Sequence, residues 1–140
     1  MTFFHRFAAL GAALLVFGQS AAFADTPAAK VSVELSRASD DGLTVRFADA
    51  LGAAFNASPG FAAGPQGQAD VAVVVTGTVQ GASGEHGPFS YSVRITGRGL
   101  APTVLSGNCY EDAMADCADY IIVKSYGAGR HAAPLESLPK

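Results

Sequence analysis

The chain lacks any concentration of basic charge. Its nine Lys and Arg residues are outnumbered by twelve Asp and Glu, and beyond Arg6 they are scattered singly from Lys30 to Lys140. Nucleic-acid binding needs clustered cations, so it is not expected. Cysteine is nearly absent, with Cys109 and Cys117 alone. Their C-x7-C spacing is not the C-x-x-C of redox proteins, and two thiols without further ligands nearby do not make a metal site. After the first 24 residues no apolar run approaches the length of a membrane-spanning helix.

Those first 24 residues have their own pattern. Arg6 precedes an apolar stretch from Phe7 to Phe17, Gly18-Gln19-Ser20 breaks it, and Ala22-Phe23-Ala24 places small residues where a signal peptidase reads. Eleven apolar residues suit the core of a cleavable secretory signal and are too few to span a bilayer. No cysteine follows the cleavage point, so a lipoprotein signal is set aside and no membrane anchor is expected after cleavage. The expected product is Asp25–Lys140, periplasmic or secreted, with eight basic and twelve acidic residues and a net charge of −4. Its 116 residues support one core and one domain. In an oxidising compartment Cys109 and Cys117 are expected to form a disulfide, worth roughly 2–3 kcal/mol for so short a loop.

Along the chain, residues 25–29 read as a linker. Lys30–Arg37 alternates at period two and predicts a strand. Ser39, Asp40 and Asp41 offer helix caps, and Leu43, Phe47, Leu51 and Phe55 recur on one helical face before Ser58-Pro59-Gly60 breaks it. Gly60–Gln68 reads as loop. Asp70–Gln80 is the strongest strand, with Val71, Val73, Val75 and Val79 expected on one face. Gly81–Gly87 predicts a hairpin loop before the alternating Phe89–Gly97 and a fourth strand at Thr103–Tyr110. Glu111–Tyr126 reads as a second helix stopped by Gly127-Ala128-Gly129, leaving 127–140 as a flexible tail. The expectation is an α+β domain over residues 30–126: β-α-β-β-β-α, a four-stranded mixed sheet with both helices on one face, and a hydroxyl-rich opposite face that includes Thr76 and Thr78.

The chemical motifs are weak. Ser137-Leu138-Pro139-Lys140 spells S-x-x-K, but Pro139 prevents the helical turn that would set amine beside hydroxyl. His86 falls in a Gly-rich loop and His131 in the tail. Asp112, Asp116 and Asp119 lie on separate helical turns, where they complement the helix dipole better than they wrap a cation. Gly77, Gly81, Gly84 and Gly87 match no phosphate-loop spacing. Asn56-Ala57-Ser58 is a glycosylation sequon followed at once by Pro59. No catalytic residue, cofactor or metal ligand is therefore expected.

The element order, the Leu43-x3-Phe47-x3-Leu51-x3-Phe55 stripe and Ala69–Gly77 ahead of an alternating strand resemble a group of small bacterial envelope domains. The group includes the N-terminal domain of the Tol–Pal translocation protein, the curli-secretion channel subunit and outer-membrane activators of penicillin-binding proteins. The resemblance implies a non-enzymatic adaptor that binds another envelope or secreted protein; this chain departs from many such proteins in lacking a lipoprotein cysteine. The alternative is a small secreted hydrolase or small-ligand-binding protein, which would need a pocket with converging polar groups, His86 foremost.

Overall fold

Valines at every second position bury one face of a strand and expose the other, and that pattern organises the sheet. The computed structural model describes residues 29–81 and 86–132. The expected signal peptide (1–24), most of the linker, Gly84 and the Ser137–Lys140 motif lie outside the described residues. The strands are β1 (Val31–Arg37), β2 (Phe61–Ala63), β3 (Val71–Gln80), β4 (Pro88–Gly97) and β5 (Thr103–Tyr110). They lie in the order β2-β1-β3-β4-β5, with β1 parallel to both neighbours and β3, β4 and β5 antiparallel. Helices α1 (Gly42–Ala57) and α2 (Met114–Ala132), the latter entered through a 3-10 turn at Glu111–Ala113, share one core with the inward residues of the sheet.

The fold is α+β as expected, but the sheet has five strands and not four. The additional strand, β2, lies in the segment read as loop. Its composition carries no period; a single ring decides its place. Phe61 is buried edge-on between Phe55 of α1, at 5.0 Å, and Tyr126 of α2, at 5.6 Å. That placement lets the Val31 N–H donate to Gly60 O at 2.9 Å and the Gly64 N–H to Val33 O at 2.8 Å.

Asp41 caps α1. Its carboxylate accepts from the Thr44 N–H at 2.9 Å and from the Thr44 and Ser39 hydroxyls at 2.7 Å each. Thr44 is fully buried, and with its own proton on Asp41 it accepts from Thr78 at 2.8 Å. Thr78 reaches α1 because a bulge between Val75 and Gly77 reverses the alternation of β3. The same bulge turns Val79 out, 70% exposed. Two expectations are corrected: Thr78 belongs to the helix side of the sheet, and Val79 to the open side.

The three hydrogen bonds, that from Ser39 foremost, pull the Asp41 carboxyl from 3.8 down to about 2. Bonds from Ser32 likewise lower Asp70, with help from Arg98. A carboxylate whose pKa is lower folded than unfolded adds stability above its unfolded value and loses it as pH falls through the folded one. The urea midpoint is therefore expected to drop between pH 4 and about 2, and to drop less in Asp41→Asn. Equal acid sensitivity in both proteins would show that the cap carries none of the effect.

Helix α2 does not stop at Gly127-Ala128-Gly129; it runs on to Ala132, so residues 127–132, expected in the tail, are helical. Gly129 is buried where α2 crosses the sheet, and a Cβ there would overlap Val31 Cγ1 and meet Val71 Cγ2 at 3.0 Å. The glycine is a contact point between helix and sheet. Alanine is the better helix former by roughly 1 kcal/mol, yet overpacking against two stiff valines costs about 1–3 kcal/mol. Gly129→Ala is thus expected to lower the thermal midpoint despite its propensity; a raised midpoint would contradict the packing.

Candidate functional site

Glu111 follows directly on β5, and its side chain is only 4% exposed. A carboxylate so placed needs partners. Its Oε2 accepts from Arg46 of α1 at 2.8 Å, and its Oε1 accepts from the Gln80 amide, at the end of β3, at 2.6 Å. His86 lines the same cleft of about 340 Å³. Its φ of 64° is a left-handed conformation that histidine tolerates better than most residues. The structure thus brings His86 beside the Arg46–Glu111 ion pair and Gln80, three residues contributed by three separate elements. The sequence offered only His86; residues 46, 80 and 111 have no spacing that ties them together.

The other candidates do not converge. His131 sits in the last turn of α2 and lines a different groove. Asp112, Asp116 and Asp119 are exposed, and among the described residues no three His, Cys, Asp or Glu side chains are grouped to hold a metal. The Gly81 N–H is used on Pro88 O at 2.7 Å, in the β3–β4 connection. Asn56 lies in the final turn of α1, and the Ser58 N–H caps that helix on Ala54 O and Phe55 O. Cys109 and Cys117 are disulfide-bonded with their Cα atoms 6.3 Å apart, tying β5 to the first turn of α2.

A second feature lies at the outer edge of the sheet. Among the described residues, strand β5 pairs with β4 on one side and has no strand on the other. Its sequence, TVLSGNCY, has no charge, no proline and no bulge, the devices that normally protect an edge. Val104 and Tyr110 on its open face are each 60% exposed. No family model matches the chain, and no curated protein matches its sequence. The site's chemistry is what its own residues supply. Helix α2 crosses the sheet diagonally, bound to Cys109 at its start and lying over Val31 and Val71 near its end. The divergence opens a groove of about 300 Å³ between β5 and α2, floored by Ile95 and Leu105 and flanked by Lys124 and His131.

On the open face beside β5 lie hydroxyl and amide groups and one cation, Arg94 of β4, which is exposed and pairs directly with Val104. The Ser90 hydroxyl donates to Asn108 Oδ1 at 2.8 Å, and Thr76 donates to Ser92 O at 2.9 Å. Tyr91, on the inner side, lays its hydroxyl in the space a Cβ at Gly107 would fill. Burial pushes the Tyr91 hydroxyl's pKa above its usual value, disfavouring the ionised form, and the neighbouring Tyr120 of α2 adds to the effect. No helix among the described residues is long and apolar enough to cross a membrane.

Proposed function

We propose that the protein is an exported, non-enzymatic binding or adaptor module of the bacterial periplasm or envelope, and that it takes an extended segment of a partner polypeptide along the free edge of β5. The observation that carries this reading is an eight-residue, uncharged edge, with no strand beside it among the described residues, next to an apolar groove. Strand addition uses such an edge: backbone hydrogen bonds supply affinity, and pockets for alternate side chains supply selectivity. The disulfide, which holds β5 to α2, accords with an oxidising compartment.

Ser106 lies exposed at mid-strand. A proline there would put a ring across the edge that a partner strand pairs with. Cross-linked capture from envelope extract is expected to recover a defined polypeptide with the wild type and to lose it with Ser106→Pro. Equal recovery with both would overturn the edge as the binding surface.

The cleft beside His86 favours a second reading, a site for a small ligand, because Arg46, Gln80 and Glu111 converge there. Titration with small carboxylates or phosphate, followed by the His86 ring proton resonances, separates it from the first. A saturable shift lost in Arg46→Gln supports a ligand site; an unmoved resonance leaves the Glu111 cluster as a structural tie between α1, β3 and β5.

A further inference from the structure

We infer that the occupant of the β5 edge is a second copy of this chain, paired antiparallel about a two-fold axis at Gly107. This rests on the reading of β5 as a partner-accepting edge.

The strand's own side chains specify the arrangement. Facing residues of an antiparallel pair point to the same side of the sheet. In β5 the even-numbered residues face the open side, so a symmetric pairing must centre on a residue. Centred on Gly107, it sets Val104 opposite Tyr110 of the second copy, and Ser106 opposite Asn108. Both exposed apolar side chains of the strand are then covered, each by the other, as the β-branched and aromatic pair that sheets favour. Centred on Ser106, it would set Val104 opposite Asn108 and leave Tyr110 beyond the start of the facing strand. With no charge on β5, neither register meets like-charge repulsion within the strand.

Charge beyond the strand selects the same antiparallel sense. Asp112 follows β5 and is exposed, as is Asp116 at the start of α2. Lys124 and His131 flank the groove at the opposite end of β5, beside Thr103. Antiparallel pairing brings the acidic end of one copy to the basic end of the other. At the centre, the two Gly107 residues leave space already occupied from each side by a Tyr91 hydroxyl. An edge contact is smaller than a standard interface, so half-association is expected at roughly 10–100 µM.

Sedimentation equilibrium of the exported protein tests this. The wild-type mass is expected to rise toward twice the monomer with concentration. Val104→Lys and Tyr110→Asp, both at exposed positions, are each expected to remain monomeric with an unchanged circular dichroism spectrum. Their equimolar mixture is expected to regain the dimer, because only the Gly107 register sets the new lysine opposite the new aspartate. A wild type monomeric to about 500 µM, well above that range, would overturn the inference, as would a dimer whose two variants fail to complement. If the wild type is monomeric while Ser106→Pro still abolishes capture, the edge stands as a binding surface and the second copy falls as its occupant.

Discussion

Phe47→Ala is expected to lower the unfolding free energy by about 3–5 kcal/mol, the range for emptying a fully buried aromatic site. Phe47 is completely buried. Its ring meets Phe89 edge-on at 5.4 Å and Tyr91 at 5.0 Å, so it holds α1 against β4. Neither ring can close the space without leaving its strand position. Domains of this size have about 5–15 kcal/mol in total, so the variant is expected to be partly unfolded at growth temperature. The sequence has no tryptophan, and urea denaturation followed by far-ultraviolet circular dichroism is the suitable measurement. A loss below about 1 kcal/mol would mean that the core closes around the gap.

Opening the Cys109–Cys117 bond is the second large effect. The chain-entropy argument gives roughly 2–3 kcal/mol for this loop. Cys109 is also buried, so its replacement adds a packing loss. The Cys109→Ser/Cys117→Ser protein is expected to have a lower urea midpoint than the wild type and to be indifferent to dithiothreitol, which should lower the wild-type midpoint. Because the bond fixes the start of α2 beside β5, amide exchange in β5 is expected to rise more than in β3, at the middle of the sheet. Uniform acceleration across the strands would show that the bond acts on global stability alone.

How much of this was legible in the sequence depends on how local the cause is. The alternation of β1, β4 and the first half of β3 was readable because each buried position repeats within its own strand. The stripe on α1 and the Asp41 cap were readable for the same reason. Phe61 was not. A three-residue strand has no period, and its burial is contributed by Phe55 and Tyr126 from two helices. Val79 was placed on the wrong side because one extra residue at the bulge shifts everything after it. Gly127-Ala128-Gly129 looked like a helix stop by local propensity, whereas Gly129 is required by the closeness of Val31 and Val71.

The candidate sites divide in the same way. The disulfide followed from composition, since two cysteines allow one pairing. The His86 cleft did not, because Arg46, Gln80 and Glu111 meet only where the ends of α1, β3 and β5 converge. The sequence by itself determined the α+β class, the two helices and the pairing of the cysteines, because periodicity and composition are properties of neighbouring residues. Tertiary structure alone decided the fifth strand, the continuation of α2, the polar cluster at Glu111 and the place of β5 at the end of the strand order, because each depends on what distant segments bring to one place.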